Sequence, residues 1–511
     1  MSSRASAWLC AISIALLALC YCAYPVMDLD LGHHLVLGRY ILDHGSIPAA
    51  NIFSYANTAY PVQDYKWLFE VFLYLLHSEL GTAGLYLLQI GAPLLTLAVM
   101  AWGMEFHKAP GRNGWLLAAA VPILATRAAP RPEALSLLLL AIYAAVLLRV
   151  SSPSLDRGTG AARESLSPRY LYLLPVLQLL WVNLHIHFIF GPLLAACFAL
   201  PALRAARRDG SPAGPWAAVL TLLCLACLAN PYFLRGALYP LQAFLRLRDP
   251  EGGQGEISEN QPLGWSVLLD APGDPEAAAT LFLFGLCPLL LLRRRRDARV
   301  LGAFALFLPL SLMSLRGRSL GAVLFPMFAA KLLSERPFGL PFVTAWERSR
   351  PRGPAIARAA VSLALAALSL GICRGLVTNR IRARAGDPRR FGLGLSRTET
   401  PQGAAAFLRG AALSGNMFNN FGIGSSLLWL HPGARPFIDG EANGYSAEFF
   451  REYREAMAEP GERFAALARR YAITHCVLMP GALDTPRLIG LLAASPDWAP
   501  VYLGEALVFA K

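Results

Sequence analysis

The chain has 511 residues, 55% of them hydrophobic and 15% charged, with a formal net charge of +13. A soluble protein carries about 25% charged residues, so this composition excludes a wholly water-soluble globular protein. The basic excess does not mark a nucleic-acid binder. Residues 379–511, the one long polar region, hold 15 Lys/Arg against 12 Asp/Glu, and the remaining excess lies in short loops between apolar blocks, where positive charge sets membrane orientation.

Apolar blocks fall near 8–26, 82–104, 114–127, 132–149, 169–185, 187–203, 215–230, 276–292, 299–314, 319–334 and 357–377. A helix needs about 20 apolar residues to cross a bilayer, and a lipid core leaves helices as the reasonable spanning form. The pattern predicts about eleven transmembrane helices. The first block follows Arg4 as a signal peptide would, but it is long for one and shows no clear cleavage site, so it reads as the first span. The nine cysteines are scattered and mostly apolar in context, which suits packing rather than a disulfide framework or metal site.

Alternate loops are strongly basic. With the N-terminus inside, the cytoplasmic connections carry Lys108 and Arg112; Arg149, Arg157, Arg163 and Arg169; Arg204, Arg207 and Arg208; Arg293–Arg296 and Arg299; and Arg336, Arg348, Arg350, Arg352 and Arg358. This predicts a non-cytoplasmic C-terminal region. Three long segments then lie outside: 27–81, 230–275 and 378–511. The first contains two amphipathic stretches, Leu31–His44 and Trp67–Leu80, suited to lying along the interface. The last has the pattern of a small α/β domain. Short apolar runs at Pro436–Ile438, His475–Met479, Val501–Leu503 and Leu507–Ala510 alternate with helical patterns at Ser446–Met457 and Gly461–Tyr471. The fold class expected is mainly α: a helical membrane bundle, 1–378, followed by an α/β domain, 379–511.

Candidate chemistry concentrates in the outer segments. Asp28, Asp30, His33 and His34 follow the first span, and Asp64 and Glu70 open the second amphipathic stretch. Acids and histidines so placed can serve as a general base, as a metal site or as simple solvated polarity. Arg127, Arg131, Arg316 and Arg318 lie where positive-inside sorting disfavours them, and Arg is suited to phosphate because its planar fork binds two oxygens at once. Asn183, His185 and His187 end an apolar span. Glu256 and Glu259 lie in a polar loop. No phosphate-binding glycine loop, dinucleotide fingerprint, nucleophile elbow or zinc helix is present.

In order along the chain stand Asp30 with His34-Leu35, Gly45-Ser46-Ile47-Pro48, Phe53-Ser54 and Trp67-Leu68-Phe69-Glu70. Then come Arg131-Pro132, Trp181-x-Asn183-x-His185, Asn230-Pro231-Tyr232, Arg316-Gly317-Arg318 and Pro436-Phe437-Ile438-Asp439-Gly440. This set resembles the GT-C superfamily of polytopic glycosyltransferases. It is most like a bacterial branch distantly related to protein O-mannosyltransferases and the lipid A aminoarabinose transferase. The likeness departs at Gly32-His33, where that branch often has two aromatics.

The resemblance implies a polyprenyl-phosphate-sugar donor and a glycan, lipid or protein acceptor. It implies catalysis by an acid of the first outer loop: Asp30 foremost, with Asp28 and Glu70 as further candidates. Arg127, Arg131, Arg316, Arg318, His185, His187, His34 and Asp64 would bind substrate. Dependence on a divalent metal is left open, since it differs across the superfamily. Inversion at the anomeric carbon and a location in the inner, plasma membrane are expected. A lipid or glycan transporter and a noncatalytic envelope-assembly protein are the alternatives.

Overall fold

The computed structural model describes residues 2–58, 60–151, 166–210, 214–246, 262, 264, 274–293, 297–335, 353–411, 413–481 and 485–511. Arg157, Arg163, Glu256, Glu259, Arg294–Arg296, Arg336, Arg348, Arg350 and Arg352 fall outside the described residues. Among the described residues the chain forms two compact units. One comprises 2–24 and 87–393, the other 25–86 and 394–511.

A helix occupies each of the eleven apolar blocks: Ser3–Cys22, Thr82–Gly103, Pro110–Ala125, Pro132–Val150, Leu173–Leu184, Phe190–Asp209, Gly214–Ala226, Pro275–Arg293, Ala298–Leu312, Arg318–Glu335 and Gly353–Val377. Among the described residues, five helical segments are long and apolar enough to cross a membrane: Ser3–Cys22, Thr82–Gly103, Pro132–Val150, Ile186–Arg208 and Gly353–Val377. Local chemistry sets several starts. Ser2 accepts the Ala5 amide hydrogen ahead of the first helix, and Asp297 accepts from the Arg299 and Val300 amides, which satisfies donors the helix itself leaves open. Pro110 and Pro132 stand at first-turn positions, where a missing N–H costs nothing.

Burial separates the helices of this unit. The apolar window of Pro132–Val150 is 72% buried and that of Gly353–Val377 is 22%, so the first is central and the second peripheral. The core is Leu, Ala, Val and Phe, with Tyr143, Phe307, Phe325 and Phe328 fully enclosed. Leu363, Leu368 and Leu370 of the peripheral helix are exposed, as lipid-facing side chains would be.

In the other unit, the amphipathic stretches are helices with the expected bounds, Leu31–His44 and Trp67–Leu80. Gly45, at φ 62°, ends the first in the left-handed conformation that glycine adopts most readily. Leu31–His44 packs against both Trp67–Leu80 and Phe421–Leu430. Two glycines make this close approach feasible. A Cβ on Gly38 would lie 2.1 Å from the Glu70 carbonyl oxygen, and one on Gly32 would lie 1.8 Å from that of Ser425. By contact, therefore, residues 25–86 belong with the C-terminal residues.

The C-terminal residues form a four-stranded mixed sheet in the order β1 (Asn416–Asn419), β2 (Ile473–Leu478), β4 (Leu507–Ala510), β3 (Ala499–Leu503). β1 and β2 are parallel; β2–β4 and β4–β3 are antiparallel. Helices Ala447–Ala458, Pro460–Arg470 and Thr485–Ala494 accompany it, over an aromatic core of Phe418, Phe437, Phe449, Tyr453 and Phe464. The expectation for Pro436–Ile438 is corrected here, because this apolar run is not a strand. Its backbone is satisfied by side chains instead: Asn419 accepts from the Phe437 amide and donates to the Ile438 carbonyl, and Ser54 donates to the Phe437 carbonyl. Phe437 and Ile438 are fully buried, so the apolar signal reported core rather than ladder.

Candidate active site

Asp30 is the residue before the Leu31–His44 helix. Its side chain makes no capping bond, while the helix N-terminus favours its negative form. Its amide donates to Asp28 Oδ1 at 3.1 Å. Gly440 lets another segment come close: a Cβ there would lie 2.6 Å from Asp30 Oδ1, 2.7 Å from Ser425 Oγ and 2.8 Å from the Leu29 carbonyl.

One turn into the same helix, His34 Nδ1 lies 3.1 Å from Glu70 Oε1. A carboxylate only accepts, so Nδ1 carries the hydrogen and Nε2 presents a lone pair. Burial, reinforced by the Lys66 charge, pushes the His34 imidazole down to about 4; it is neutral at pH 7. Its neighbour behaves oppositely. His33 Nδ1 is 3.2 Å from Asp439 Oδ2. Burial works against its charge, but the Asp439 carboxylate outweighs this and raises the imidazole to about 9.

Lys66 joins the remaining acids. Its Nζ donates to Glu441 Oε2 at 2.6 Å and lies 3.0 Å from Glu70 Oε1 and 3.5 Å from Asp64 Oδ1. Although burial disfavours the ammonium, Glu441, Glu70 and Asp64 hold it protonated well above the usual lysine range. For Glu441, burial is overcome by Lys66, and the carboxyl drops to about 2. Asp64 goes the other way: burial and the Glu70 charge raise it well above the carboxylate range despite Lys66. Two buried carboxyls side by side retain a proton because both cannot readily ionise.

The structure thus brings together Asp28, Asp30, His33, His34, Asp64 and Glu70 with Asp439 and Gly440 of the C-terminal motif, and adds Lys66 and Glu441. Asp28, Asp64 and Glu70 are buried; Asp30 is half-buried. The cluster is not arranged for a metal. Its carboxylates are already opposed by the Lys66 and His33 charges, and among the described residues no group of three or more His, Cys, Asp or Glu is placed to hold an ion.

The first unit holds a second polar cluster. Arg127 Nη1 lies 3.6 Å and Arg316 Nε 3.8 Å from Glu133 Oε2. Glu133 is buried at the first turn of Pro132–Val150, and Arg131 stands at that helix's N-cap. Arg318 pairs instead with Glu276. His185 Nδ1 is 2.9 Å from Ser136 Oγ, which also accepts from Trp181 Nε1 at 2.9 Å. The His187 ring packs edge-on to His185 at 4.2 Å. Of the predicted residues, Arg127 and Arg316 meet at Glu133, His185 and His187 pack together, and Arg318 lies with Glu276. Arg127, Arg316 and Arg318 have carboxylate partners that spacing did not identify.

No protein-family model matches the sequence, and no curated protein matches it. Solved structures do. ArnT of Cupriavidus metallidurans, solved with undecaprenyl phosphate bound, matches at a TM-score of 0.56 and 12% identity, over 100% of this chain and 98% of that one. The Archaeoglobus fulgidus oligosaccharyltransferase matches twice. Tethered to an acceptor peptide with an NVT sequon, it gives a TM-score of 0.56 at 14% identity; in the apo form it gives 0.53 at 12%. In both cases 92% of this chain and 69% of that one are covered. At these identities the likeness is one of fold. The chain shares the fold of these two solved structures, which agrees with the fold that the resemblance in the sequence implies.

Proposed function

We propose that this protein is a membrane glycosyltransferase that moves a sugar from a polyprenyl-phosphate carrier to an acceptor at the non-cytoplasmic face. The observation carrying this reading is the end-to-end fold likeness to ArnT, a structure that holds undecaprenyl phosphate. The alternating basic loops support an outer C-terminal region, and the five long apolar helices support a multi-pass membrane location.

Asp30 is the general base. A base must reach the acceptor, and Asp30 is half-buried while Asp28, Asp64 and Glu70 are buried. Its carboxylate takes the proton of an acceptor hydroxyl or amine as that atom attacks the anomeric carbon. The bond from that carbon to the phosphate oxygen breaks, and the carrier leaves as a polyprenyl phosphate anion. Single displacement inverts the anomeric carbon. Asp28 orders the loop by accepting the Asp30 amide. His34, buried and neutral, stands behind Asp30 in the same helix turn, and Glu70 holds its tautomer with Nε2 as the acceptor. Asp64 keeps its proton and limits the negative charge beside Glu70.

Arginines stabilise the departing phosphate as its charge is freed from the sugar. Arg316 is the better placed of the Glu133 pair, with 35% of its side chain exposed against 11% for Arg127. Arg131, Arg318, His185 and His187 are assigned to the same phosphate-binding role.

The test is direct. Purified protein in lipid nanodiscs, given radiolabelled undecaprenyl-phosphate sugars and a detergent extract of envelope glycans and lipids, should release undecaprenyl phosphate and label an acceptor. A panel of such donors that neither binds nor turns over would remove the reading.

A further inference from the structure

The C-terminal unit contains a cavity of about 340 Å³ whose wall is more polar than apolar, with Tyr55, Asn416, His431, Arg435 and His475 among its lining residues. None of these belongs to the carboxylate cluster. The volume lies at the small end of the roughly 300–1,000 Å³ range of small-molecule sites, and a polar wall sets it apart from the usual apolar pocket.

Hydrogen bonding fixes the chemistry of the buried His475. Thr474 Oγ1 donates its one hydrogen to the Ser414 carbonyl at 2.8 Å and lies 3.0 Å from His475 Nδ1. Having spent that hydrogen, Oγ1 can only accept, so Nδ1 carries the imidazole hydrogen. Nε2 is left as a lone-pair acceptor on a residue that lines the cavity. Burial, with the nearby His431, lowers the His475 imidazole below its ordinary value, which keeps that lone pair unprotonated at pH 7. Tyr55 donates its hydroxyl hydrogen to the Met417 carbonyl, and Asn416 Nδ2 donates a hydrogen to the Tyr471 carbonyl. Their remaining side-chain capacity is therefore weighted toward acceptance. Arg435 is exposed and supplies donors. Among the described lining residues there is no Asp or Glu. Acceptors backed by one guanidinium suit a small ligand bearing several hydroxyls.

We infer that this cavity is a carbohydrate subsite, separate from the carboxylate cluster, which holds one sugar unit by a hydroxyl donated to His475 Nε2 with Arg435 donating to the same sugar. The inference does not require sugar transfer, because it concerns binding of a free sugar.

Saturation-transfer NMR on the full-length protein in detergent micelles tests it, with free glucose, N-acetylglucosamine and glucuronate as probes. At least one should bind in the millimolar range. His475→Phe should weaken it by about tenfold, the scale of one buried hydrogen bond, whereas His475→Gln, which retains an acceptor, should hold binding within about threefold by the same scale. Monodeoxy forms of the bound sugar provide a readout independent of folding: one of them should lose about tenfold against the wild type. No binding by any probe, equal affinity across the deoxy series, or full binding by His475→Phe would overturn the subsite. Sugar binding that persists in a protein with no transferase turnover would retire the enzymatic reading and leave this one standing.

Discussion

In the carboxylate cluster, Lys66 and His33 stand among Asp28, Asp30, Asp64, Glu70, Asp439 and Glu441; in the arginine cluster, Glu133 serves both Arg127 and Arg316. The first is an excess of acids restrained by a few cations, the second an excess of cations anchored by an acid. Each minority charge lowers the cost of burying the majority without cancelling it. That difference matches the two tasks a phosphate-leaving sugar transfer requires, since proton removal needs spare negative charge and the departing phosphate needs spare positive charge. It also separates residues that organise a cluster from residues that work on substrate, and this separation can be tested.

Lys66 should have the largest structural effect. Lys66→Met leaves Glu441 and Glu70 without their shared cation. Breaking a buried pair in this way costs about 3–5 kcal/mol, so thermal unfolding of the variant should fall sharply. A melting temperature within a degree or two of wild type would show that the acids are hydrated and not held by Lys66.

Next come the two arginines of Glu133, which should separate by exposure. Arg316→Ala should weaken binding of the lipid-phosphate donor by roughly 10-fold or more, the scale of a lost hydrogen bond to a charged group. Arg316→Lys should restore only part, since it keeps the charge and loses the fork. Arg127→Ala, at the more buried partner, should act mainly on stability. Equal losses of donor affinity at both positions would make the pair a single binding unit and remove the anchor role of Arg127.

The smallest effect is the pH profile of stability. His33 is raised in the fold, to about 9, so its contribution is full below the unfolded value near 6.5 and is lost as pH rises through about 9. His34 is lowered, to about 4; the folded state resists its protonation, and stability falls as pH drops from near 6.5 toward 4. Melting temperature should therefore decline on both sides of neutrality, and His33→Gln should flatten the alkaline limb alone. An unchanged alkaline limb in that variant would contradict the charged His33–Asp439 pair.

The sequence carried the helices well because hydrophobic blocks and amphipathic periodicity are local signals. Leu31–His44 and Trp67–Leu80 occur with the expected bounds, and a helix fills each apolar block. The sheet was partly legible. Runs at 475–479, 501–503 and 507–510 foreshadowed β2, β3 and β4, while β1, Asn416–Asn419, has too few apolar residues to announce itself. The site divided in the same way. Asp28, Asp30, Asp64 and Glu70 stood out as charges at membrane boundaries. Lys66 and Glu441 gained meaning only through their pairing across 375 positions, and the role of Asp439 in the motif only through its pairing with His33 across 406. Nothing periodic encodes such a contact. Glu133 was visible in Pro132-Glu133, but its sharing between Arg127 and Arg316 depends on which helix ends meet.

Turnover and donor affinity of Asp30→Asn, measured side by side, test the account most directly. The amide is nearly isosteric but cannot accept a proton at neutral pH. Transfer should fall by roughly 100-fold or more, the usual scale for losing a general base. Affinity for the undecaprenyl-phosphate donor should stay close to wild type, because the arginines carry the phosphate. Near-normal turnover by a well-folded Asp30→Asn protein would contradict the assignment and point to Glu70.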